Sequence, residues 1–168
     1  MSRAESAIRQ MVVTLTEIEA KVASLPRAWL QWRPDPQVWS ILDNLCHIEE
    51  FIPYWTSQIM LVVSHSGEKW GRTHSDADRL AAVEATDSRE LVSLLASLRG
   101  RMAAASAKLL PLVDTALDSE AVSVNPRWGS KPASFILECL LVQHLASHSR
   151  QIQRNIDQLQ LLRTAQRD

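Results

Sequence analysis

Four stretches of the chain place apolar residues at steps of three and four, the period of an amphipathic helix. In the first, Ile8, Met11, Val12, Leu15, Ile18 and Val22 share a face and Leu25-Pro26 stops the pattern, which predicts a helix over residues 3 to 24. The next stretch carries Pro26, Pro34 and Pro36 among Trp29, Trp32 and Trp39. Proline keeps the residue before it out of helical geometry, so this stretch reads as a rigid, aromatic-rich loop. Ser40 with Asp43 three residues on forms a capping-box-like start for a second helix. Its stripe of Ile41, Leu45, Ile48, Ile52, Trp55 and Ile59 continues to about Val63, with Pro53 as an internal kink point. Asp87 with Glu90 repeats the capping signature and opens a third helix, with a face of Leu91, Leu94, Leu98, Met102 and Leu109 and an end at Pro111. A fourth helix follows Pro132, which suits a first-turn position, and runs to about Leu162, with residues 163 to 168 fraying.

The connectors at about 65 to 86 and 111 to 132 are far longer than the roughly two to eight residues that join antiparallel bundle neighbours. A crossover between helices two and three explains the first: the two helices then run in the same direction, and the fold is an all-α, up-down-down-up four-helix bundle. The second contains Asn125-Pro126-Arg127-Trp128-Gly129-Ser130, a turn signature, after Val122 and Val124 in strand-like alternation, and predicts a small hairpin or flap.

A length of 168 residues suits one domain with a buried core. With 18 Lys plus Arg against 19 Asp plus Glu, the formal charge of -1 offers no electrostatic footprint for nucleic acid or an anionic membrane. Four Gly are too few for a many-turned β fold or a glycine-rich phosphate cradle. The N-terminus lacks the apolar run of a signal peptide, and the apolar stretches around Ile59 to Val63 and Phe135 to Val142 fall short of a bilayer span. Cys46 and Cys139 are far apart and form no disulfide framework, which fits a cytoplasmic protein.

The chemistry lies in the histidines. His144 and His148 are four apart on the fourth helix, hence about 40° apart on the wheel and about 6 Å along the axis, a spacing at which two imidazoles chelate one ion. They interrupt an inward stripe of Leu137, Leu141, Ile152, Ile156 and Leu159. Burying two unpaired imidazoles is costly, and a shared metal with a hydrogen bond to each distal nitrogen removes that cost. The spacing alone equally fits a pair at the margin of the stripe, meeting water or other side chains. A metal site needs a third ligand, and His47 is the best placed, on the second helix about two turns from the Ser40 cap.

The string Trp39-Ser40-Ile41 leading to His47, preceded by Arg33-Pro34 and followed by His144-x-x-x-His148-x-x-Gln151-Ile152, resembles the DinB/YfiT-like family of metal-dependent enzymes. The resemblance covers nearly the whole chain and implies one DinB-like bundle domain over residues 1–168. It also implies a divalent ion, nickel, zinc or iron, held by His47, His144 and His148. Members of that family include transferases that use a low-molecular-weight thiol and hydrolase or isomerase candidates.

Three neutral imidazoles leave an ion its full charge and an open position, which lowers the pKa of a bound thiol or water toward neutrality. A thiolate attacks an electrophilic carbon or an epoxide, and a hydroxide attacks an amide or ester. The expected function is therefore a metal-dependent enzyme acting on a small molecule, as a thiol-dependent S-transferase or a hydrolase. The alternative is a non-catalytic, stress-associated bundle that binds a metal or small ligand. Glu50, three after His47, can orient that ring or act as a base, against the simpler reading of Glu49 and Glu50 as a solvated acidic turn. Gln151, one turn beyond His148, can orient a ligand or pack. Asp43 serves the helix cap, His65 and His74 are solvent-exposed loop residues, and Cys46 and Cys139 lie off the histidine face. Trp29, Trp32 and Trp39 can line the mouth of a pocket, while Arg150, Arg154, Arg163 and Arg167 read as a solvated edge. A di-iron site is set aside because it needs Glu-x-x-His, and the order here is His47-x-x-Glu50. A homodimer is the default for a bundle of this size.

Overall fold

The structure, a computed structural model, describes residues 1–73, 75–84 and 86–165. His74 and Arg167 lie outside the described residues. Four long helical elements carry the fold: α1 (Arg3–Val22), α3 (Ile41–Val63), α5 (Leu91–Leu109), and a continuous helical run made of α6 (Ala133–Phe135), a π-helical stretch (Ile136–Gln143) and α7 (His144–Ala165). Two short helices fill the connections, α2 (Arg27–Gln31) and α4 (Ala77–Glu84).

The hydrogen bonds at the two ends of the bundle fix its direction. At one end Arg3, opening α1, holds Asp118 at 2.7 Å and its backbone N–H donates to Asp114, both just beyond α5. At the other end Arg27, just beyond α1, bonds Glu90 at 3.1 Å and the Asp87 carbonyl, immediately before α5. There too Thr86 donates to Asp43 in the first turn of α3 at 2.6 Å, so α3 and α5 start together and run parallel. Asn155, in the second half of α7, donates to the Trp39 carbonyl ahead of α3, so α7 runs opposite to α3. The order is up-down-down-up, with residues 64 to 90 as the crossover.

Local chemistry places the helix starts. Ser2 with Glu5, and Ser40 with Asp43, form full capping boxes in which each side chain satisfies the other residue's backbone N–H. The predicted stripe of α3 is the spine of the core: Ile41, Leu45, Ile48, Ile52 and Ile59 are fully buried. Flanked by α5, α7, α2 and α4, the first turns of α3 are buried on every side, including Asp43, Asn44 and His47. The helix runs through Pro53 without interruption.

Several boundaries differ from the sequence reading. The aromatic-rich segment is not all loop, because Arg27–Gln31 forms a helix after Pro26, which leads into it without needing its missing N–H. The third helix starts at Leu91 and not at Asp87, which lies in the 3-10 turn Thr86–Ser88. Arg27 takes the Asp87 and Arg89 carbonyls, and Thr86 turns to Asp43, so this turn is bound to the neighbouring elements. Pro132 precedes the final helical run, which continues past Leu162 to Ala165.

The second connector forms a hairpin, β1 (Glu120–Val122) paired antiparallel with β2 (Ser130–Pro132). The first connector is pinned to it by Trp70, which is fully buried. Its backbone N–H donates to Val122 at 3.1 Å, its carbonyl accepts from Val124 at 2.7 Å, and its indole N–H donates to Ala121 at 2.7 Å. Gly71 follows at φ +86°, where a side chain is strained, and a Cβ there would come within 3.3 Å of Ser123 Oγ. Among the described residues, no helix is long and apolar enough to cross a membrane.

Candidate metal centre

His47 comes from the buried face of α3, His144 from the junction of the π-helical stretch with α7, and His148 from the next turn of α7. One nitrogen from each lies within 4.8 Å of the other two. The ring centroids are 5.0 Å apart for His47 and His148, 5.3 Å for His47 and His144, and 4.7 Å for His144 and His148. Trp39 stacks on His148 and Phe51 stacks on His144, fixing the ring planes from both sides.

The hydrogen bonds assign the proton of His148. Asn44 Nδ2 donates to the Ser40 carbonyl at 2.7 Å, which turns its Oδ1 toward His148 Nδ1, also 2.7 Å away. An amide oxygen only accepts, so His148 carries its proton on Nδ1 and Nε2 is a bare lone pair. The Leu140 backbone carbonyl lies beside the His144 ring and favours its protonated form. That carbonyl is within the ring's reach because the His144 backbone N–H turns to Leu141 at the end of the π-helical stretch and not to Leu140, as an α-helix would require. The two Nε2 atoms face each other at 2.9 Å. With the His144 proton on Nε2 this contact is an N–H···N hydrogen bond, and with it on Nδ1 two acceptors face each other and a cation fits between them.

A further proton is disfavoured. Burial, followed by the neighbouring histidines, pushes His47 down to about 2 and His148 to about 3, and burial pushes His144 to about 4. The positive charge of Arg79 acts in the same direction on all three rings. His47 Nδ1 is buried without a hydrogen-bond partner among the described residues, with Glu50 Oε2 at 3.7 Å. Neutral imidazoles with converging nitrogens, flanked by an amide and a carbonyl, are a donor set that fits a divalent ion of the zinc, nickel or iron type.

A cavity of about 440 Å³ opens beside His47 and His144. Trp55 and Trp128 form its aromatic wall, and Arg72, Arg79 and Arg150 supply its charged side. Arg72 is fixed: both its terminal nitrogens bond Glu50, at 2.6 and 2.7 Å, and its guanidinium lies 3.9 Å over the Tyr54 ring.

Other residues singled out by the sequence fall in varied places. Glu49 and Glu50 are not a solvated turn, because Arg89 and Arg72 hold them in partly buried ion pairs. Gln151 is half-buried and lies outside the cavity lining. Trp39 packs on the histidines, and Trp29 lies under Arg163, so the cavity takes its tryptophans from elsewhere. Cys46 is buried with its thiol pushed up to about 11 by burial. Cys139 reaches the cavity wall although an α-helical wheel puts it off the His144 face. The π-helical stretch aligns residues five apart, which brings it round. Arg150 borders the cavity and is not part of a purely solvated edge. His65 is exposed at φ +52°, with its ring 3.3 Å from Ser119. Sequence reasoning missed Asn44, Arg72, Arg79 and Trp128. Asn44 alone left a signal, as an amide between Leu42 and Leu45 in the inward run of α3.

A bundle with a parallel central pair of helices and three inward histidines on its second and fourth long elements defines the class. The chain belongs to the DinB superfamily, whose family model matches residues 10–152. The fold is similar to that of YfiT from Bacillus subtilis, a probable metal-dependent hydrolase with an unusual four-helix bundle topology. That match has a TM-score of 0.78 at 14% identity, covering 95% of this chain and 90% of that one. It is also similar to a mycothiol-dependent maleylpyruvate isomerase, with a TM-score of 0.68 at 12% identity, covering 89% of this chain and 60% of that one. No curated protein sequence matches the chain significantly.

Asn44 gives the first test. Asn44→Ala removes the acceptor that fixes the His148 tautomer, and ion affinity measured by competition with a chromophoric chelator should fall by about 10- to 100-fold. Unchanged affinity would show that the Asn44 hydrogen bond does not orient the site.

Proposed function

We propose that the chain is a metal-dependent enzyme in which His47, His144 and His148 hold one divalent ion, nickel, zinc or iron, and that it activates a low-molecular-weight thiol or a water against a small electrophile. The observation that carries this reading is the convergence of three buried, neutral imidazoles, with the Nε2 atoms of His144 and His148 2.9 Å apart in a positively biased setting. A divalent ion held there would lower the pKa of a thiol or water in its open position toward neutrality.

The protein's own groups then have separate tasks. Asn44 and the Leu140 carbonyl orient His148 and His144. Glu50, clamped by Arg72, places a negative charge 3.7 Å from His47 Nδ1, and its two oxygens are too occupied to serve as a proton acceptor. Trp55 and Trp128 exclude water from one side of the cavity. Gln151 has no place in this scheme, since it does not reach the cavity. The unpaired thiols of Cys46 and Cys139 suit a cytoplasmic protein. The natural ligands are small molecules, and the chain pairs as a homodimer.

The test has two readouts on protein purified without an affinity tag. Metal analysis should find about one divalent ion per chain after exposure to Ni²⁺, Zn²⁺ or Fe²⁺. A panel of low-molecular-weight thiols against epoxides and activated alkenes, with esters tested in their absence, should show metal-dependent turnover. Protein that binds no ion sinks the proposal. Bound ion with a flat panel moves the chain to the non-catalytic, ligand-binding reading.

A further inference from the structure

We infer that the cavity beside the three histidines selects a small carboxylate with a flat apolar body. This deepens the proposed function, taking the histidine cluster as the reacting end, and rests on residues outside that cluster. Among the described residues, the charged residues lining the cavity, apart from the histidines, are all arginine, and no carboxylate lines it. Arg72 is neutralised by Glu50 and Asp76, so its charge is largely spent on the protein. Arg150 projects from α7 two turns beyond His144, on the same side as His144 and Ser147, and makes no ion pair among the described residues. Arg79, on α4, closes the cavity from the crossover.

The aromatic wall supplies the second observation. Trp128 stacks on Trp70 with centroids 5.5 Å apart and 6° between planes, so its face toward the cavity is held rigid. Trp55, 5% exposed, adds a second indole to that wall. A carboxylate offers acceptors only and matches guanidinium donors with charge and planarity, while a flat apolar body matches the tryptophan faces. A neutral or cationic ligand leaves the Arg150 guanidinium without a counter-charge. A carboxylate could arrive on the electrophile or on the thiol; the aromatic wall assigns it to the electrophile, since common low-molecular-weight thiols carry their carboxylates on polar frameworks.

Benzoate and its neutral isostere benzamide are the probes, titrated calorimetrically against the full chain after chelator treatment. Benzoate should bind at least about tenfold more tightly than benzamide. The double variant Arg79→Gln, Arg150→Gln should lose that preference, and His148→Ala should keep it. Both arginines lie on exposed or half-buried surface, so circular dichroism of the double variant should match that of the parent. No detectable benzoate binding, equal affinity for the two probes, or a preference that survives the double variant overturns the inference. So does glutathione binding more tightly than benzoate with the same arginine dependence, which would give the arginines to the thiol. Failure of the metal reading is seen separately in the metal analysis and leaves the chelator-treated titrations unaffected.

Discussion

Alanine in place of His148 should abolish divalent-ion binding while leaving the fold in place. His148 presents one of the two facing Nε2 atoms and is the ring tied to Asn44, so its loss removes a ligand and frees the orienting amide. Removing an outer hydrogen-bond partner costs about 10- to 100-fold in affinity, and removing a ligand should cost more than that. The helix survives because Leu145, Ile152 and Ile156 still bury its inward face. Thermal unfolding gives the second readout. An ion at 100 times its dissociation constant stabilises a native state by about 2.7 kcal/mol. Addition of Zn²⁺ or Ni²⁺ should raise the melting temperature of the parent and leave that of the variant where it was. An equal rise in both would place the ion elsewhere and discard the three-histidine site.

The second large effect is on stability and centres on Asp43. This carboxylate is 2% exposed and closes the Ser40 capping box, accepts from Thr86 at 2.6 Å, and holds Arg33 at 2.9 and 3.0 Å. It joins α3, the loop before it and the turn before α5. Asp43→Ala leaves the Thr86 hydroxyl and the Ser40 N–H without their acceptor and should cost about 3 kcal/mol. For a chain of this size that is a fall of about 6 to 12 °C in melting temperature. Arg33→Ala should cost only about 1 kcal/mol, because Arg33 is 39% exposed and half of its partner's work is done by others. Equal losses from the two variants would reduce Asp43 to a surface ion pair.

Asp43 also sets the acid limb of stability. Burial by itself raises a carboxyl pKa, but the Arg33, Thr86 and Ser40 hydrogen bonds outweigh it and hold Asp43 below the ordinary carboxylate value. The unfolded chain therefore takes up this proton first as pH falls. The contribution of Asp43 is complete above the ordinary carboxylate pKa and is lost as pH drops through the lower folded value. Asp43→Asn should flatten that part of the stability profile, measured by denaturant unfolding between neutral pH and pH 3.

The bundle was legible in the sequence because its information is local. The stripe of α3 and the Ser40 cap are short-range patterns, and the length of residues 65 to 86 demanded a crossover whatever path it took. The histidine pair was legible for the same reason, since four residues on a helix fix two side chains together. Cys139 was misplaced because its position depends on the π-helical stretch, and nothing in Ile136–Gln143 marks a departure from 3.6 residues per turn. Arg72 and Trp128 come from irregular connectors, where no periodicity links a residue to a direction, and Arg79 from the short α4, whose place against the bundle is set by the crossover. Asp87 and Glu90 had the right residues for a cap, but Arg27 and Asp43 bind the turn around them and the helix starts one turn later.

The union of the two connectors at Trp70 divides labour within the molecule. The histidines and their orienting partners belong to the bundle, while Arg72, Arg79, Asn125 and Trp128 reach the cavity from residues 64 to 90 and 110 to 132. These segments are joined to each other by the Trp70 hydrogen bonds. In the proposed function the reacting end is thus inherited with the scaffold, and recognition is shared between the helices, through Trp55 and Arg150, and a joined pair of connectors. Transplanting both connectors as a pair, together with Trp55 and Arg150, should carry ligand preference into another bundle of this fold, whereas either connector alone would arrive without its mate across Trp70.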